Sequence, residues 1–306
     1  MKFKIVLIGA GRVANSVVPA LIKAGYTVQS IISKNSKSAE SLAVKYRIKN
    51  FSSKLNDIPK SANMFFLTVP DNQIEIAAKE LSNQNINFKE TFVLHFSGLK
   101  NISSLKVLKN KGAKTASIHL MQAFSSKKPV KIKDVPAAIE SNNMNDFKIL
   151  EIFALNLNLS PFKIESRYKS YYHIAGVFYL NFLAGNLYSA KQLLALNNID
   201  ELEYLKNLGS TINSMIKSIS KNGSAFALSG PVERGDIEVI KNHIKDLKRL
   251  CNKPGGNYYR TILRNYIVQS LNLLYLVEEK HNHLGESHNK IKNILERELI
   301  TLKRTK

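Results

Sequence analysis

The sequence predicts an α/β fold: a mostly parallel sheet wrapped by helices, followed by an all-helical domain. Three observations carry this. Short β-branched runs alternate with helical patterns through the first half, the first apolar run ends in a Gly-x-Gly-x-x-Ala turn, and strand signals stop near Glu165. The predicted limits are 1–165 for the α/β domain, 166–283 for the helical domain and 284–306 for a basic C-terminal tail. Strands are expected at 2–8, 27–33, 64–69, 92–96, 115–119, 137–140 and 160–164, with helices between them such as 13–23 and 146–155. Beyond residue 165, the segments 170–196, 201–220, 237–250 and 258–278 carry the 3.6-residue helical period. The charged stretch 280–306 reads as one more exposed helix with frayed ends.

The chain has 306 residues, 44% of them hydrophobic, ample for a large core. Lys and Arg number 45 against 23 Asp and Glu, a formal charge of +22. That excess raises a nucleic-acid or anionic-membrane partner. The lysines, however, are dispersed among Asn and Ile without an arginine-rich run, which argues against nucleic acid and leaves a general attraction for anionic ligands. The one cysteine, Cys251, excludes an internal disulfide and suits a reducing cytoplasm. Residues 1–10 mimic a signal peptide, but the apolar run ends at Gly9 and Arg12; the run 174–185, broken by Asn181, is too short to span a bilayer. A cytoplasmic protein without membrane contact or metal site is expected.

The opening stretch VLIGAGRVANSVVPAL sits in a context that suits a dinucleotide's pyrophosphate. Gly9 can make the tight turn after a buried-type strand, and Gly11 lets backbone approach a phosphate. Ala14 permits close helix packing, and Ala10, Arg12 and Val13 complete the turn at the helix tip. The second strand ends in Ser33, Lys34, Asn35 and Ser36, with no acid until Glu40. An acid there would bind the ribose 2′-hydroxyl of NAD; serine and lysine suit a 2′-phosphate, so NADP(H) is the expected cofactor. Val69, Pro70 and Asp71 after one strand, and Ser97 and Gly98 after another, fall beyond strand carboxyl ends, where ligands of open α/β sheets lie. Asp71 serves equally as an N-cap for a helix from Asn72.

Candidate reaction residues follow. His119 and Gln122 lie just past another strand end as substrate ligands. Lys169 and His173 are four apart on one helical face, with Asn181 two turns on. Reducing a carbonyl requires an acid for the developing alkoxide, and Lys169 or His173 could supply it. In LSGPVERGD, a rigid loop could present Arg234 or Glu233, with Arg234 gripping a substrate carboxylate; Asp236 is placed to cap the next helix, and His243 lies on that helix's same face.

Through GAGRVA, HFSG, GAKTASIHLMQAF, KSYYHIAGVFYLN and LSGPVERGD, the chain to about residue 280 resembles Rossmann reductases built like 6-phosphogluconate dehydrogenase, whose helical C-terminal domain was long catalogued only as a domain of unknown function. One subgroup is similar to an alternative ketopantoate reductase, which makes pantoate with NADPH. The resemblance implies an NADPH-dependent reductase of a small 2-keto acid, 2-dehydropantoate above all, with substrate between the domains and a homodimer formed through the helical domain. It also implies that a lysine at Lys169 protonates the substrate, with an asparagine one turn on; His173 stands in that asparagine's place, and His119-Leu120 replaces the usual His-Pro. A pyrroline-type imine, another keto acid, or a non-catalytic nucleotide-binding role are the alternatives.

Overall fold

A computed structural model describes residues 3–304. The chain divides into two compact units, Met1–Ala184 and Gly185–Lys306. In the first, β1 (Lys4–Ile8), α1 (Arg12–Lys23), β2 (Thr27–Ile32), α2 (Ser36–Lys45), β3 (Asn50–Ser52), β4 (Met64–Leu67), α3 (Ile74–Ser82), β5 (Phe92–His95), α4 (Lys106–Lys109) and β6 (Lys114–Leu120) are followed by β7 (Pro136–Ser141), α5 (Met144–Asn156), β8 (Ser160–Lys163) and α6 (Lys169–Gly176). The eight strands lie in the order 3-2-1-4-5-6-7-8. Neighbours are parallel except β6 and β7.

The central strands are apolar at successive positions because both sheet faces are covered. Ile5, Leu7, Met64 and Phe66 enter one core layer, whereas Val6, Ile8, Phe65 and Leu67 enter the other. The registers Ile8↔Leu67, Leu67↔His95 and His95↔Ser117 bring the carboxyl ends of β1, β4, β5 and β6 to one edge of the sheet.

Strand β3 was not expected: three residues, NFS, carry too little pattern to register. Lys2, the expected start of the first strand, lies outside the described residues. Strands cease at Lys163, but the first compact unit continues to Ala184 and retains α6. The expected single helix 170–196 is interrupted by a π-helical turn, Val177–Phe182, before α7 (Leu183–Leu194).

The remaining helices are α8 (Glu201–Asn222), α9 (Ser224–Ala227), α10 (Pro231–Arg234), α11 (Ile237–Cys251), α12 (Gly256–His281) and α13 (Glu286–Arg304). Ile240, Ile244, Ile262, Leu263, Ile267 and Leu274 form the core between α11 and α12. The expected exposed tail is corrected here. Ile291 and Leu295 of α13 are fully buried in the same core, an i,i+4 pair hidden among charges in NKIKNILERELI. Residues 305 and 306 of that tail lie outside the described residues. No described helix is long and apolar enough to cross a membrane.

Candidate active site

Gly9 holds φ +109°, and a Cβ there would stand 2.7 Å from the Thr68 carbonyl oxygen, so glycine is required both by backbone and by the closeness of β4. Gly11 precedes α1 without a side-chain cap, leaving first-turn N–H groups open. Beside them runs a cleft of about 790 Å³, within the range of small-ligand sites. Gly9, Ala10, Gly11, Ser33, Lys34 and Asn35 line it, with Val69 and Pro70. The missing Cβ and uncapped helix tip fit a pyrophosphate.

Other nominees do different work. Ala14 is buried, as the packing argument requires. Val13 packs against the core. Arg12 is exposed and donates to the Phe124 carbonyl at 3.4 Å. Asn35 caps α2 by accepting from the Ser38 N–H at 2.9 Å. Asp71 is not a cap: its carboxylate accepts from the Ser97 hydroxyl at 2.7 Å. Ser97, expected from sequence beside the cofactor, braces its own loop. It is buried, and its oxygen also accepts from the N–H groups of Leu99 and Lys100.

Beyond this brace lies a pair of imidazoles. The rings of His119 and His173 are 5.8 Å apart at 69°. A Cβ on Gly98 would meet His173 Nδ1 at 2.6 Å and His119 Cε1 at 2.7 Å, so the glycine of HFSG makes the room both rings occupy. Gly176 likewise lets α6 approach Met121, whose sulfur would be 2.5 Å from an added Cβ. His119 Nδ1 is 3.3 Å from the Phe96 carbonyl, which can only accept; Nδ1 therefore carries the proton, and Nε2 is an acceptor. Burial lowers the His119 pKa; the hydrogen bond to the Phe96 carbonyl opposes this, and the charges of His173 and Lys169 add to it. His173 is exposed.

Tyr172, not singled out in the sequence, packs edge-on to His119 at 5.7 Å. Its buried hydroxyl has no hydrogen-bond partner in the described structure, and burial raises its pKa to about 12. Its place inside KSYYH, next to His173, was the available signal. His95, also missed, is fully buried; its Nδ1 accepts from the Ser97 N–H, and burial followed by the Lys169 charge lowers its pKa to about 4.

Lys169 is corrected most. Its side chain is 1% exposed, and its ammonium donates to the Lys100 carbonyl, the Ser117 hydroxyl at 2.6 Å and Glu140 Oε2 at 3.0 Å. All three protons are engaged, so none remains for a substrate. Burial lowers the Lys169 pKa, partly offset by Glu140. Burial opposes ionisation of Glu140 too, but the Lys169 charge and hydrogen bonds from Ser166 and the Ile102 N–H outweigh it and hold the carboxyl below its usual value. Gln122 is half-buried and donates to the Ala123 carbonyl at 3.3 Å; Asn181 is exposed on the π-helical turn.

In the second unit the LSGPVERGD loop is closed by its own charges. Nε and Nη2 of Arg234 both reach Asp236 Oδ2, at 3.0 and 2.8 Å, so the guanidinium is paired within the loop; Asp236 stands at the N-cap position of α11 as expected, but its side chain makes no capping hydrogen bond. Glu233 pairs with Lys280 at 2.9 Å, and His243 bonds Tyr266 at 3.0 Å.

Residues 1–120 match the family described as a Rossmann-like domain, and residues 135–266 match a domain of unknown function (DUF2520). No curated protein sequence matches the chain. Among solved structures, it is similar to a Bacteroides fragilis protein classed as an NADP oxidoreductase, with TM-score 0.70 and 23% identity over 89% of this chain and 98% of that one. It is also similar to a reductive aminase from Aspergillus terreus solved with NADPH and ethyl-5-oxohexanoate, with TM-score 0.59 and 11% identity over 98% and 95%. A pyrroline-5-carboxylate reductase from Coxiella burnetii gives TM-score 0.59 and 14% identity over 96% and 99%. At these identities the likeness shows a shared fold.

Proposed function

We propose that the protein is an NADP(H)-dependent reductase of a small 2-keto acid, with 2-dehydropantoate, reduced to (R)-pantoate, as its candidate substrate. One observation carries the reading: an exposed imidazole and a half-buried one share the space over Gly98, on the same sheet edge as the glycine-turn cleft. Gly9, Gly11 and the first turn of α1 would hold the pyrophosphate, and the cleft around Ser33 and Lys34 the adenosine end. Bound there, the reduced nicotinamide supplies hydride.

The remaining work falls to the chain. His173 donates the proton that a developing alkoxide needs, and the His119 Nε2 lone pair accepts from the resulting hydroxyl. Gln122 and Asn181 are the further substrate ligands. Lys169 does not serve as the acid; it holds the helix that carries His173. A second reading, reduction of a cyclic imine, is supported by the pyrroline-5-carboxylate reductase and reductive aminase among the structural neighbours. We also propose a cytoplasmic homodimer. The 22-residue helix α8 buries none of its residues and exposes Leu202, Tyr204, Met215 and Ile216, as expected of a face that a second copy covers.

NADPH consumption across a panel of 2-keto acids and cyclic imines tests the reading. Turnover concentrated on 2-dehydropantoate is expected; turnover on imines alone selects the second reading, and NADPH binding without turnover of any panel member leaves a non-catalytic nucleotide-binding protein.

A further inference from the structure

Between β6 and β7 the chain runs from Met121 to Val135 without helix or strand. Irregular connections of roughly 12–15 residues are uncommon and most often functional or disordered. This one is fastened. The Val130 N–H donates to the buried Ser16 hydroxyl at 3.1 Å, Arg12 reaches the Phe124 carbonyl, and Ile132 and Val135 are buried in the core. The strap so formed carries Lys127 to the glycine-turn cleft, which it lines together with Ser38. Lys127 Nζ donates to the Ser38 hydroxyl at 3.0 Å.

On its other side Lys127 borders a second basin of about 540 Å³. Lys37, Lys45 and Lys128 line it with Ser41 and Ser126, and no acid does so among the described residues. Lys34, the cation that sequence places nearest a 2′-phosphate, sits differently. It is paired with Glu80 at 2.8 Å, and Glu80 lines the same cleft, so its charge arrives with a counter-charge. Asn35 is spent on capping α2.

We infer that Lys127, delivered by the β6–β7 strap and seated on the Ser38 hydroxyl, is the anchor that selects a 2′-phosphate at the adenosine end of the cleft. The inference rests on the dinucleotide reading above. A dianionic phosphate meeting an ammonium whose partner is a neutral hydroxyl gains a charge-assisted contact at small cost. A nucleotide with a plain 2′-hydroxyl gains none, so the contact discriminates between the two. The uncompensated lysines of the neighbouring basin add a positive field in the same direction.

Dissociation constants for NADPH and NADH, measured by titration calorimetry on the full chain, test this. Lys127→Met should weaken NADPH by about tenfold or more, as for one lost charge-assisted contact, and change NADH by less than about twofold. Lys127→Arg should retain the preference, and Lys34→Met should cost NADPH less than Lys127→Met. Because Phe124, Val130 and Ile132 still fasten the strap, the variant keeps its fold, which circular dichroism verifies. The inference is overturned if NADPH binding to Lys127→Met stays near wild type, or if both nucleotides weaken alike. Wild-type protein that binds neither nucleotide would overturn the dinucleotide reading itself, and this anchor with it.

Discussion

Two glycine turns, at Gly9–Ala14 and at Gly230–Asp236, look alike in sequence: each has glycines, an arginine and a helix that follows. Gly9 and Gly235 both take positive φ, and each would collide with a neighbour if given a Cβ. They differ in what their polar groups are doing. Around Gly9 the helix tip is uncapped and faces a cleft. Around Gly235, Arg234 is held by Asp236 and Glu233 by Lys280. The same contrast recurs within one turn of α6, where Lys169 has every proton engaged and His173 stands exposed. A turn becomes a site when its donors and charges are still free.

The sharpest way to break this contrast is to unbalance the closed cluster. Glu140→Gln leaves the Lys169 ammonium buried without its counter-charge, and a loss of about 3–5 kcal/mol is expected in urea unfolding. The pair also gives the wild type an acid limb. The Glu140 carboxyl is held below its unfolded value of ~4.3, so its stabilisation is complete above that pH and is lost as pH falls through the folded pKa. Unfolding midpoints followed below about pH 4.3 should show that limb in wild type and its absence in the variant. A variant as stable as wild type would mean that Lys169 is not closed in.

Opening the comparison from the other side, His173→Ala should lower kcat by about 10²-fold, the range of a lost general acid, with stability little changed. Turnover near wild type would remove the proton from that residue. The smallest effect is expected at Arg234. Its ion pair is exposed, so Arg234→Ala should stay within about 0.5 kcal/mol in stability and leave kcat/KM unaltered. A large rise in KM would restore the guanidinium as a substrate ligand.

The sheet and the helical second half were legible because each repeats a pattern over many residues, both-face apolar strands and then a 3.6-residue period, and the glycine turn because its spacing falls between such a strand and such a helix. The turn of α6 was legible only in part. Spacing puts Lys169 and His173 on one face, but it cannot tell that Ser117 and Glu140, on paired strands β6 and β7, converge on the lysine. The Arg234 pairing was hidden for a different reason: its partner is only two residues away, but a loop's closure is not written in its composition. Lys127 was invisible as a ligand because it lies 89 positions from Ser38. α13 was hidden by charges flanking Ile291 and Leu295.

At position 98 the chain carries a hydrogen where every other residue type carries carbon. That one omission sets the gauge between the two rings above it, and no graded series of replacements exists: alanine, the smallest change available, already drives an atom into both. Tuning of this spot must therefore come from the rings or from the helix that brings the second of them, never from the floor.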